Sequence, residues 1–295
     1  ESDRLIIVLD SDTLPTPAKV SLKRIGLGFG NDLVDKGLFV VDDVAVDGPP
    51  RRITITASAS PMDSRKQSGL LQSQKTRSWN AKTIGDVVRD IASTHGLTPR
   101  VTGDLASIQI DHLDQVNESD ISVLTRLAKR FGAVAKPAGG FLLFVKEGEG
   151  KSASGKVLKQ VDLTPGSQTT YSFRFASRGK AGSVVASYTD QQTGEPKSIM
   201  IGSGEPVFNI VYPYPNKIEA EKAAQARFNQ VRSDSDTMSL IMPATPDLMG
   251  LVAESKANLS SFGSREDGQW RVKSLRWSLS GAGLQLSIDG DRSDS

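Results

Sequence analysis

Gln115-Val-Asn-Glu-Ser-Asp-Ile-Ser-Val-Leu-Thr-Arg-Leu-Ala-Lys-Arg-Phe-Gly-Ala133 is the stretch on which the fold turns. Asn117 is placed to cap a helix, and Asp120 stands three residues on, where a carboxylate reaches back to the cap's own N–H. Ile121, Leu124, Leu127, Ala128 and Phe131 recur at helical spacing on one face, with Thr125, Arg126, Lys129 and Arg130 on the other. Gly132 follows where a left-handed C-cap costs least. These residues predict a helix closed at both ends.

A helix of the same design lies upstream, in Lys82-Thr-Ile-Gly-Asp-Val-Val-Arg-Asp-Ile-Ala-Ser-Thr-His-Gly-Leu97. Thr83 caps it, Asp86 closes a capping box, and Ile84, Val87, Val88 and Ile91 form the buried stripe ahead of Gly96. The endings Ile91-Ala92-x-x-His95-Gly96 and Leu127-Ala128-x-x-Phe131-Gly132 match, the mark of a duplicated helix–strand unit. A short apolar strand follows each glycine, Leu97 to Val101 and Ala133 to Lys136. The second turns through Pro137-Ala-Gly-Gly140 into Phe141-Leu-Leu-Phe-Val145, a hairpin signal. Trp79 to Phe144 is therefore a compact α/β module.

The rest reads as β. Arg4 to Leu9, Ala18 to Leu27, Gly37 to Val46 and Ile53 to Ala57 are short strands, with turns at Asp10 to Pro15 and Asp47-Gly-Pro-Pro50. Met62 to Ser78 is polar and predicts an exposed crossing into the module, and Lys146 to Lys159 predicts a mobile loop. Further strands are expected at Thr170 to Phe175, Ser183 to Tyr188, Ser198 to Ile201, Thr237 to Met242 and Leu251 to Ala253, with a turn at Thr193-Gly194. A third helix runs from Lys217 to Arg232, capped by Asn216 and buried through Ile218, Ala220, Ala224 and Phe228. Gly268 to Asp289 is a long hairpin turning at Ser280-Gly-Ala-Gly283. In it Trp270 and Val272 alternate on one parity, and Leu275, Trp277 and Leu279 on the other. A bulge at Lys273-Ser274 explains the switch.

At 295 residues the chain has length for two or three cores. A net charge of +2 provides no global field toward nucleic acid or an acidic membrane. With 0 Cys there is neither a disulfide framework nor a thiolate metal site, which fits assembly in a reducing cytoplasm. No apolar run approaches the ~20 residues of a membrane helix. The opening at Glu1, without Met and directly before a strand, predicts further residues upstream, including a strand of the first β region.

Trp79 with Lys82-Thr-Ile-Gly-Asp86, Gly96-Leu-Thr-Pro-Arg-Val101, Gln115-x-Asn-Glu-Ser-Asp120, Leu124-Thr-Arg-Leu-Ala128 and Gly132-Ala-Val-Ala-Lys-Pro137 closely resembles the phage late control D family. Gly37-Leu-Phe-Val-Val-Asp42, Asp47-Gly-Pro-Pro50 and Asp267-Gly-Gln-Trp270 extend the resemblance over most of the chain, in family order. The resemblance implies the baseplate hub of a contractile phage tail or a tail-derived bacteriocin. It implies a mainly β, α+β fold: two related β-barrels joined to a small α/β domain, with three copies in a ring whose six barrels approximate six-fold symmetry. The domains expected are 1–76, a first barrel lacking its beginning; 77–148, the α/β domain; and 149–295, completing the first barrel and forming the second. The partners implied are a second and third copy of the chain, the tail spike, the tail tube, baseplate wedge proteins and the tape-measure protein. Assembly in the bacterial cytoplasm and a place in the virion baseplate or bacteriocin particle follow from the same resemblance.

Signals for chemistry have plainer readings. Gly26-Leu-Gly-Phe-Gly30 has the wrong spacing for a dinucleotide loop and no helix after it, so a strand-end turn is expected. Gly150-Lys-Ser-Ala-Ser-Gly155-Lys156 is followed by Val157, so the hydroxyl that would hold magnesium is missing from this phosphate-loop lookalike. His95 sits at a helix end and His112 in a strand, and the two make no metal site without carboxylates. Asp10, Asp12, Asp42, Asp43 and Asp47 hold the carboxylates for a hydrolytic pair, but they fall in or beside turns. Thr83 to Leu97 is similar to the first half of a LysM peptidoglycan-binding motif, whose second half does not follow; wall binding or wall degradation is the alternative function. Arg126, Lys129 and Arg130 lie on one helix, but such residues are ordinary on a solvated face, and with a near-neutral net charge and no helix-turn-helix spacing sequence-specific DNA binding is not expected. We expect no catalytic residue, no cofactor, no metal and no membrane insertion.

Overall fold

The computed structural model describes residues 3–10, 13–16, 23–59, 71–138, 141–148, 150, 156–176, 182–190, 192–233 and 236–292. The chain is mainly β with few helices and divides into two compact units, Glu1–Thr125 with Ala135–Phe144 and Arg126–Val134 with Val145–Ser295.

In the first unit β1 (Arg4–Asp10), β2 (Lys23–Phe29), β3 (Asp32–Asp47) and β4 (Arg52–Ala59) form an antiparallel sheet in the order β1-β4-β3-β2. Residues 17–22, the start of the expected second strand, lie outside the described residues, as does Asp12. The third strand begins at Asp32 rather than Gly37, because a register shift at Ile25/Gly26 lets the pairing run on to the hairpin tip. Gly26-Leu-Gly-Phe-Gly30 ends in that hairpin, with Gly30 at φ +57°. A Cβ on Gly28 would fall 1.9 Å from the Asp32 carbonyl oxygen, so glycine there serves close strand approach.

β5 (Gln74–Thr83) leads into α1 (Ile84–Thr94), then β6 (Thr98–Val101), the short α2 (Gly103–Ala106) and β7 (Gln109–Ser119), which pairs antiparallel with β5. α3 (Asp120–Arg130), β8 (Ala133–Ala138) and β9 (Phe141–Lys146) complete the module, in which β9 lies between β6 and β8. The α1 boundaries are as expected: Thr83 and Asp86 close the capping box, Ile84, Val87, Val88 and Ile91 are buried, and Gly96 adopts φ +65°. The expected crossing is corrected in part. Its residues 62–70 lie outside the described residues, but Gln74 to Ser78 belong to β5. Its inward positions Lys75 and Arg77 are cations, which disguises the strand as a polar linker.

The start of α3 is corrected as well. Asn117 does not cap: it remains in β7 at φ +47°. Ser119 Oγ accepts from Ser122 N at 3.2 Å and is the cap, while Asp120 enters the first turn with its carboxylate engaged elsewhere. Val123 joins Leu124, Leu127, Ala128 and Phe131 in the buried set, and Ile121 is only half-buried. Gly132 ends the helix at φ +60°.

The second unit holds β10 (Gln160–Leu163), β11 (Thr170–Phe175), β12 (Ser183–Thr189), β13 (Pro196–Gly202), β14 (Val207–Asn209), α4 (Lys217–Ser233), β15 (Asp236–Pro243), β16 (Lys256–Leu259), β17 (Gly268–Ser280) and β18 (Gly283–Arg292). A six-stranded sheet runs β10-β16-β17-β18-β15-β11, and a three-stranded sheet runs β13-β12-β14. The register of β17 on β18 shifts between Val272 and Ser274, the expected bulge. It lets Trp270 and Val272, and then Leu275 and Trp277, reach the same core despite their opposite parity. Asn216 Oδ1 accepts from Glu219 N at 3.0 Å and caps α4. Ala220, Ala223 and Ala224 are its buried positions, with Phe228 packed against that core, whereas Ile218 is 62% exposed and not part of the buried stripe. Small residues let the helix approach β12 closely, and Ile218 in the first turn lies outside that face. Leu251 to Ala253 is not a strand. Leu251 N donates to Leu248 O in a turn after the 3-10 segment Pro246–Leu248, and the strand lies at β16.

Candidate functional site

The densest polar constellation of the first unit centres on Asp120, which is fully buried. β5 alternates, so Lys75, Arg77 and Trp79 share one face. Lys75 Nζ reaches Asp120 Oδ2 at 2.6 Å and Arg77 Nη2 reaches Oδ1 at 2.6 Å. From the C-cap of α1, His95 places Nε2 2.6 Å from Oδ2, and from β7 Gln115 Nε2 donates to Oδ1 at 2.9 Å. Burial alone would push the Asp120 carboxyl up. Hydrogen bonds from Lys75, His95 and Gln115 and the Arg77 charge outweigh it and hold the group at about 2. An ionised Asp120 accepts only, so the His95 Nε2 carries the proton. Arg77 also donates through Nε to Gln115 Oε1 at 2.8 Å and lies 4.5 Å over the Trp79 ring, whose Nε1 donates to Asp90 Oδ2 at 2.9 Å. Three chain segments are thus tied to one carboxylate on a fourth. Every oxygen of Asp120 is saturated, so the cluster braces the module and has no lone pair left for a substrate.

The second unit repeats the device. Arg271 on β17 grips Asp291 on β18 fork to fork, Nε to Oδ1 at 2.8 Å and Nη2 to Oδ2 at 2.6 Å, with both side chains buried. Its third nitrogen, Nη1, donates to Glu147 Oε1 at 2.9 Å. Burial lowers the Arg271 pKa by itself, but the bonds and charge of Asp291 and the charges of Glu254 and Glu147 raise it well above the usual arginine value. Burial likewise pushes the Glu254 carboxyl up, against the pull of Arg271 and a bond from Gly148 N. Arg130 contacts Glu219 and covers the Tyr214 ring at 4.9 Å. Asp267 accepts from the backbone N–H groups of Ser261, Phe262 and Gly263 at 3.1, 2.9 and 3.3 Å, which gives the Asp267-Gly-Gln-Trp270 motif a loop-closing role.

The other residues singled out from sequence stay apart. His112 is exposed and placed against Asn80 and Asp114. Asp10 and Asp47 sit opposite the same residue, Arg52, on either side of β4, and Asp10 accepts from Arg52 Nε at 2.8 Å. Asp42 accepts from Ser58 Oγ. Among the described residues these carboxylates are therefore spread over strands and not paired in a cleft. Residues 151–155 of the phosphate-loop lookalike lie outside the described residues. Among the described residues no group of three or more His, Asp or Glu is placed to hold a metal ion, and no helix is long and apolar enough to cross a membrane. Sequence reasoning missed Asp120 and Arg271 as ionic centres. The available signal was a charged residue at an inward strand or helix position, which a buried partner must accompany.

Three comparisons bear on this arrangement. The profile of the phage tail baseplate hub (GPD) family matches residues 65–282. Two curated relatives, each described as a probable baseplate hub protein, come from Escherichia phage 186 and Escherichia phage P2. They are 28% identical over 334 residues and 29% identical over 333, covering 98% of this chain and 84% of each relative. Among solved structures, the 43 kDa tail protein of prophage MuSo2 from Shewanella oneidensis is similar with a TM-score of 0.69 at 15% identity, covering 98% of this chain and 89% of that one. At that identity the likeness speaks for the fold alone.

Proposed function

Because the chain belongs to the phage tail baseplate hub family, we propose that it acts as one subunit of a trimeric ring joining the tail tube to the central spike. It is a structural component of the virion's tail baseplate. In this reading residues 1–76 and 149–295 supply two related β-barrels and 77–148 the α/β domain between them. The ring assembles in the bacterial cytoplasm, presents its rim to wedge proteins of a contractile tail, and leaves a bore for the tape-measure protein. It catalyses no reaction: its work is geometric.

The observation that supports the ring best is the outward apolar surface on the four-stranded sheet. Ile6 and Val8 on β1, and Leu33 at the tip of the β2–β3 hairpin, are large, apolar and more than half exposed. A lone subunit leaves them in water along sheet edges that invite pairing, whereas neighbouring subunits bury them. The ionic clusters fit the same role, since each is closed on itself and stiffens a unit that must hold its shape under load.

The test is the solution mass of the chain by light scattering, alone and with the neighbouring spike protein. A trimer, or a monomer that becomes trimeric on the spike, is expected. A monomer indifferent to the spike overturns the ring.

A further inference from the structure

We draw no further inference here: the strongest candidate, the exposed apolar excursion Val211-Tyr212-Pro213 beside β12, pinned at both ends by Ile210 N to Val185 O and Tyr214 N to Ser187 O, carries nothing because nothing in the structure shows what covers it.

Discussion

Arg77 and Asp120, 43 residues apart, meet at 2.6 Å between Nη2 and Oδ1 inside the first unit, and the carboxylate is fully buried while the guanidinium keeps one side toward solvent. Asp120 is thus the buried anion around which Lys75, Arg77 and His95 are arranged, while Arg77 Nη1 also lies 3.7 Å from Asp90 Oδ2. Asp120→Asn removes the buried counter-charge of Lys75 and Arg77, and we expect a loss of about 3 kcal/mol in urea unfolding of the first unit.

The same carboxylate sets a pH dependence. Its folded pKa, about 2, lies below the ordinary value of 3.8. The folded state therefore favours the ionised form, and the stabilisation is fully present above roughly pH 4 and lost as the pH falls through about 2. A shift of this size corresponds to roughly 2 kcal/mol. Thermal midpoints measured from pH 5 to 2 should fall more steeply in the parent than in Asp120→Asn, and parallel curves would show that Asp120 is not the group responsible.

Arg271 and Asp291 make a buried pair in which the fate of the abandoned partner matters more than the bond itself. Asp291→Ala strands a buried guanidinium, so a loss of about 4 kcal/mol is expected. Arg271→Met/Asp291→Leu removes both charges and should recover most of that loss. Urea midpoints of the three proteins decide it: a double variant no better than Asp291→Ala would mean that the surrounding charges, Glu147 and Glu254, and not Asp291, hold the site.

How far the fold was legible depends on how local each determinant is. Both ends of α1 follow from residues within one turn, Thr83 with Asp86 and then Gly96, and they were readable. The bulge at Lys273 was readable because a parity switch between Val272 and Leu275 leaves no other explanation. The start of α3 was not, since the choice between capping and ion pairing at Asp120 is made by Arg77 and His95, far away in sequence. β5 was hidden by its inward cations, and β10 and β16 by length: four residues each, paired parallel, give too few alternations to register. The ionic centres were illegible for the same reason as β5. A buried charge looks like a surface charge until its partner is located.

A steric prediction isolates the hairpin core. A Cβ on Gly290 would come within 2.5 Å of both the Arg271 carbonyl oxygen and the Met238 Cε. Met238 can yield, but the backbone oxygen cannot without disturbing the β17–β18 ladder. Gly290→Ala should cost about 2 kcal/mol, whereas Gly281→Ala, with open space around it, should stay within about 0.5 kcal/mol of the parent. Equal stabilities would mean that the bulge at Lys273 absorbs the added methyl.

The cap of α3 separates two readings of the same six residues. Ser119 accepts from Ser122 N, so Ser119→Ala leaves a first-turn N–H without a protein acceptor and should cost about 1 kcal/mol. Asn117 holds no helix N–H; it sits at φ +47°, where glycine pays less strain than any L side chain. Asn117→Gly should therefore be close to neutral, although it removes the weak contact with Thr76 Oγ1 at 3.4 Å. If Asn117 were the cap, Ser119→Ala would be silent. Urea unfolding of Ser119→Ala against the parent distinguishes the cases, because only capping by Ser119 predicts its loss.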